Sequence, residues 1–155
     1  MRTLRDPIHF VAFGFGAGLA PKAPGTFGSL VGLLAAWGLM ELPLPWRAAV
    51  VLAAIALGLW ICGESARRLR RHDDQRIVFD EIAGVLLTSL VVEKASVLAL
   101  ALVFVFFRFF DILNPWPIRD VDHSLHGGLG IMLDDLIAAL YAAVCVATIR
   151  VLLPI

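Results

Sequence analysis

The strongest constraint on this chain is that its long apolar runs break off at carboxylates and arginines. Phe104 to Asp120, FVFFRFFDILNPWPIRD, shows the pattern best. Arg108 and Asp111 are three residues apart and share a helical face, and Asn114 lies three further along it. Pro115 then ends the helix by pushing Asn114 out of the α region. Ionisable groups at the end of an apolar span are costly to place, and function is the default reading for them. The composition agrees with a bilayer environment: 60% hydrophobic residues and a mean hydropathy of +0.87, against roughly 45–50% apolar in soluble domains. The expectation is a single domain over residues 1–155, an all-α integral membrane bundle of about five to six helices.

Net charge is zero, which gives no footing for nucleic-acid binding. Cys62 and Cys145 lie in separate apolar runs and read as small buried hydrophobes. The N-terminus lacks the apolar core and cleavage site of a signal peptide, so the chain reads as mature as written. Ile8 to Ala20 is apolar but, at thirteen residues, too short for the ~20 that a span needs. It is expected as a short interfacial or re-entrant helix. Its Gly14, Gly16, Gly18 alternation follows no strand and reads as close packing, not as a dinucleotide loop.

Pro21 to Ser29 forms a tight loop entering the run Leu30 to Met40. Two readings stand side by side. In one, Pro24 and Gly25 shape the turn and Thr26 caps the helix. In the other, backbone N–H groups, the Thr26 and Ser29 hydroxyls and Lys22 cradle a phosphate at a helix N-terminus. After Pro43 and Pro45, Arg47 to Gly63 returns as a second span. Arg67, Arg68, Arg70, Arg71 and Arg76 follow it, a concentration that marks the cytoplasmic side.

Ile77 to Val92 is apolar except for Asp80 and Glu81 in its first turn. One carboxylate there complements the helix dipole; two adjacent ones exceed that need. Glu93 and Lys94 interrupt before Ala95 to Phe107, either as the turn of a hairpin or buried within one long span; the hairpin is favoured because it puts Asp80, Glu81, Arg108 and Asp111 on one membrane face. Trp116 suits an interfacial exit loop. Asp120 and Asp122 resemble a phosphatase aspartate pair but lack the preceding strand. His126 is a candidate for proton transfer, beside the plainer reading of a solvated loop histidine. The last span, to Arg150, again opens on two acids, Asp134 and Asp135.

Together Asp80, Glu81, Asp111, Asp134 and Asp135 crowd five carboxylates at one membrane surface, where they repel one another unless a cation intervenes. An all-oxygen set without cysteine suits Mg²⁺. Lys22, Arg108 and the Gly25–Thr26 loop add positive charge and N–H donors, which together with a metal points to phosphate chemistry.

Four segments in order, GLAPKAPGTFGS, FDEIAG, FRFFDILNPWPIRD and HGGLGIMLDDLIAA, closely resemble the phosphatidylglycerophosphatase A family of bacterial membrane lipid phosphatases, over Gly14 to Ala139. The resemblance implies a multi-pass helical protein of the bacterial inner membrane with its site facing the cytoplasm. It also implies Mg²⁺-dependent hydrolysis of a phospholipid, phosphatidylglycerophosphate, to phosphatidylglycerol. Motif by motif, it places Lys22 and Thr26 in the first segment, Asp80 and Glu81 in the second, Arg108, Asp111 and Arg119 in the third, and His126, Asp134 and Asp135 in the fourth. In the resulting scheme the five carboxylates hold the metal and activate water, while Lys22, Gly25, Thr26, Ser29, Arg108 and Arg119 bind phosphate. An aspartyl-phosphate intermediate is the other route. The rivals are a phosphatase for another lipid phosphate and a small ion-coupled transporter, which would need its acids at the bilayer midplane.

Overall fold

The computed structural model describes residues 5–71, 74–116 and 127–153, and all regular structure among them is helical. Helix α1, Pro7–Ala12, starts where Asp6 accepts the Ile8 amide at 3.0 Å and Pro7 fixes the first helical φ. A 3₁₀ segment, Gly14–Leu19, follows, kinked at Phe15 and Gly16, both at positive φ. These two short pieces form a cap and not a span. His9 Nδ1 is hydrogen-bonded to Ser65 Oγ at 2.9 Å, and the Val78 amide donates to the Ala12 carbonyl.

Helix α2, Pro24–Leu39, begins earlier than the capping reading expected. Ala23 adopts the left-handed conformation at φ 49° and Pro24 supplies the first helical residue. Thr26 therefore lies inside the first turn and does not cap it. Helix α3, Leu44–Leu69, and helix α6, Gly128–Leu152, are long and apolar enough to cross a membrane. Helix α5, Val97–Leu113, runs from a Ser96 cap to Asn114 in the left-handed region, so the break before Pro115 falls where expected.

Helix α4, Phe79–Ser89, departs most from expectation. The apolar stretch 77–92 reads as a span, yet the helix has 11 residues. That is about 16 Å, roughly half of a ~30 Å hydrocarbon core. It sits in the middle of the bundle, packed on α2, α3, α5 and α6. Because its flanks lie on protein, a stretch from Ile82 to Leu86 is buried on every face. The chain breaks between α4 and α5 with Glu93 and Lys94 exposed, as the hairpin reading requires.

Two arginines close that break. Arg47, 4% exposed, donates to the Ser89 and Val92 carbonyls at 2.7 and 2.8 Å. Arg150, near the end of α6, donates to the Val91 carbonyl. A helix that stops inside an apolar bundle leaves its last carbonyls without water, and these guanidinium groups supply the missing donors.

The helices meet closely. A Cβ on Gly63 would come within 2.8 Å of the Gly128 amide, so α3 and α6 touch backbone to backbone. One apolar core joins the N-terminal cap, α3 and α6 to α4 through Phe13, Ile61, Met132 and Phe79. Another joins α5 and α6 to α4 through Val85, Val103, Phe107 and Ala139. The outer faces remain apolar and exposed, with Leu34, Leu52, Val105 and Val144 each more than half exposed.

Candidate active site

The acids gather at the N-terminal end of α4. Asp80 and Glu81 come from its first turn, Asp134 and Asp135 from the second turn of α6, and Arg108 and Asp111 from the last turns of α5. All six line one cleft of about 460 Å³, together with Ala23, Pro24 and Gly25 at the start of α2, and with Gln75, Ile77 and Ile112. The topology makes this possible, because α2, α4 and α6 begin at the same end of the bundle where α5 finishes.

Asp80, Glu81 and Asp135 each offer one carboxylate oxygen, and those atoms lie within 4.8 Å of one another. Such a triad is able to hold a metal ion. Two of its oxygens, Glu81 Oε2 and Asp135 Oδ2, are buried without a hydrogen-bond partner. Buried carboxylate oxygens in that state are costly unless a cation meets them. Asp80 also accepts the Glu81 amide at 3.1 Å. Arg108 forms an ion pair with Asp111 through Nη1, on the shared face that their spacing predicts, while its buried Nε has no partner. The guanidinium thus keeps a donor beyond the pair.

Gly25 bounds the cleft on the α2 side. A Cβ there would collide with Glu81 Oε1 and lie 3.2 Å from Arg108 Nη1. Backbone approaches the charged groups only because this position has no side chain. The amides of Thr26 and Phe27 are already taken by the Ala23 carbonyl. Ser29 is fully buried and donates to the Gly25 carbonyl at 2.9 Å. Neither Thr26 nor Ser29 lines the cleft, and Lys22 is exposed just outside its lining residues. Arg119 and His126 lie outside the described residues.

Gln75 is the cleft residue that sequence reasoning passed over. It lies in the arginine-rich connection, where a lone amide carries no pattern. Another cavity, about 540 Å³, lies along the last turns of α3 beside Trp60, Arg67 and Arg70. Its one carboxylate, Glu64, is already bound by Arg67 and Arg68 at 2.8 and 2.7 Å. It has no counterpart of the acid cluster.

The depth of the cluster follows from α3. Gly58 faces Phe79 at the start of α4, and Cys62, one turn further along α3, is buried beside Asp80. Helix α3 continues to Leu69, seven residues or roughly 10 Å beyond Cys62, before its arginines reach the end. The acids therefore lie recessed beneath a basic rim.

Comparison with known proteins gives the same answer from another direction. The family model described as Phosphatidylglycerophosphatase A matches residues 10–150. Two curated proteins of that name are similar: one from Escherichia coli, 40% identical over 90% of this chain and 81% of its own length. The other, from Haemophilus influenzae, is 40% identical over 96% of this chain and 91% of its own length. No solved structure gives a significant match.

Proposed function

This chain belongs to the phosphatidylglycerophosphatase A family and is a phosphatase, and from that premise we propose that it hydrolyses phosphatidylglycerophosphate to phosphatidylglycerol and phosphate with Mg²⁺. The observation that carries this reading is the meeting of Asp80, Glu81 and Asp135 with Arg108 in one cleft. The orphaned oxygens and the all-oxygen donor set fit a hard divalent cation. Asp80, Glu81 and Asp135 would hold the ion, with Asp111 and Asp134 completing the acidic wall. When bound, Mg²⁺ supplies positive charge to a phosphoryl oxygen and acidity to a coordinated water.

The chain's own residues do the rest. Arg108, held in place by Asp111, presents its remaining N–H donors to the phosphate. The bare Gly25 lets the start of α2, with its positive dipole end, lie against the same anion. A carboxylate of the cluster takes the proton of the attacking water. Lys22, exposed outside the lining residues, draws the headgroup in, Thr26 supports Gly25 from the first turn of α2, and Ser29 acts indirectly by holding the Gly25 carbonyl. Arg119 and His126 keep the roles of phosphate binding and proton transfer on their motif positions.

The exposed apolar faces of the bundle and the two long helices support a multi-pass protein in the bacterial inner membrane, the whole chain acting as one domain. Arg67, Arg68, Arg70, Arg71 and Arg76 lie at the acid-bearing end, whereas Arg47 and Arg150 at the other end are bonded to carbonyls. This asymmetry supports a cytoplasm-facing site. The test is phosphate release from phosphatidylglycerophosphate, phosphatidic acid and a polyprenyl phosphate side by side, with and without EDTA. Preferred turnover of the first lipid, lost on chelation and restored by Mg²⁺, is expected; activity indifferent to EDTA would sink the metal role.

A further inference from the structure

Two adjoining cavities share a wall residue and differ in charge. In the acidic cleft one guanidinium, Arg108, faces five carboxylates. A neighbouring cavity of about 350 Å³ is lined by Arg71, Asp74, Gln75 and Arg76, two guanidiniums and one carboxylate. Gln75 lines both.

The second cavity has firm walls. Asp74 is buried and binds Arg76 Nε and Nη2 at 2.7 Å each, and it also accepts the Arg76 amide at 3.1 Å. The Ile77 amide donates to the Asp74 carbonyl at 2.8 Å, and the Arg76 guanidinium lies over the Phe13 ring. Arg76 is thereby neutralised in place. Arg71 makes no ion pair with any described residue, so it is the cation the cavity has to offer.

We infer that this second cavity binds the phosphodiester of the same lipid whose terminal phosphate enters the acidic cleft. Arg71 contacts the diester anion, and Gln75 contacts the hydroxyl of the glycerol that links the two phosphates. This rests on the substrate proposed above. That substrate carries two phosphates of different character joined by one glycerol. The dianionic monoester tolerates the acidic cleft only with a cation bound there. The singly charged diester suits a cavity with two guanidiniums against one carboxylate. A lipid with a single phosphate fills only one of the two, so the pair of cavities selects the headgroup by its second charge.

The two reaction products separate the cavities experimentally. Phosphatidylglycerol retains the diester and the glycerol, whereas inorganic phosphate is the group released in the acidic cleft. The full-length chain would be assayed in mixed micelles with Mg²⁺, with each product as inhibitor, alongside Arg71→Gln and Gln75→Ala. Arg71→Gln is expected to raise KM and the inhibition constant for phosphatidylglycerol about tenfold, the size of one charge-assisted hydrogen bond. It should leave kcat and inhibition by inorganic phosphate unchanged. Gln75→Ala should move the same two constants by about threefold, the size of a weak neutral hydrogen bond. Equal shifts for both inhibitors, or none for either, would overturn the inference while leaving the phosphatase reading intact. If the unaltered chain releases no phosphate from phosphatidylglycerophosphate, the substrate reading falls and the subsite with it.

Discussion

The two ends of α4 present opposite solutions to one problem. Both place polar groups inside an apolar bundle. At the C-terminal end the inward-reaching arginines have partners: Arg47 and Arg150 donate to the carbonyls of Ser89, Val91 and Val92. At the N-terminal end Glu81 Oε2, Asp135 Oδ2 and Arg108 Nε are buried with no hydrogen-bond partner. Satisfied burial stabilises a fold, and unsatisfied burial is retained where a ligand completes it. The helix is stapled at one end so that its other end can hold unpaired charge.

That contrast is open to challenge at either end. The largest effect should come from Asp135→Asn, which keeps size but removes the charge. Phosphate release should fall by about 10²–10⁴-fold, the usual range for a carboxylate in acid–base work, while circular dichroism and thermal midpoint stay close to the parent. A parent-like rate would remove Asp135 from the site. Arg47→Ala should do the reverse, leaving two buried carbonyls without donors at a cost of about 2–4 kcal/mol. Thermal unfolding in detergent reads the loss, and protein that stays folded should keep most of its turnover per molecule. Gly25→Ala sets a methyl against Glu81 and Arg108 and should lower kcat/KM by about tenfold, within the 1–3 kcal/mol typical of a forced fit.

The smallest effect concerns pH. Arg76 beside Asp74 holds that carboxyl below its ordinary value. Its stabilisation is fully present above the unfolded pKa, near 4, and is lost as pH falls through the lower folded pKa. Asp74→Asn should flatten the acid limb of the stability curve by less than about 1 kcal/mol, because Arg76 is partly exposed. An acid limb unchanged by the substitution would show that the pair contributes nothing to stability.

Much of this was legible in the residues because polar groups in apolar runs are rare enough to stand out. Asp80, Glu81, Arg108, Asp111, Asp134 and Asp135 share the cleft, and the interruption at Glu93 and Lys94 separates two helices. What stayed hidden depends on tertiary context. The stretch 77–92 has the composition of a span, and only the neighbours that bury it, with arginines from other helices, explain a helix of 11 residues. Thr26 has the chemistry of a cap, but a left-handed Ala23 before Pro24 starts the helix sooner. Ser29 offers a hydroxyl that its own helix consumes. Arg47 and Arg150 read as ordinary flanking charges, and nothing local announces that both reach inward.

Placed in a bilayer as proposed, the close seam between α3 and α6 would matter where membrane thickness varies. These two helices alone, among the described residues, have the length and apolarity to grip both faces of a bilayer. In the membrane placement proposed above, a thinner or thicker bilayer would act first on their tilt. They touch at Gly63 and Gly128, and each also sends one arginine to the foot of α4. Through these contacts, tilt of the outer pair would be passed to the short inner helix whose first turn carries Asp80 and Glu81.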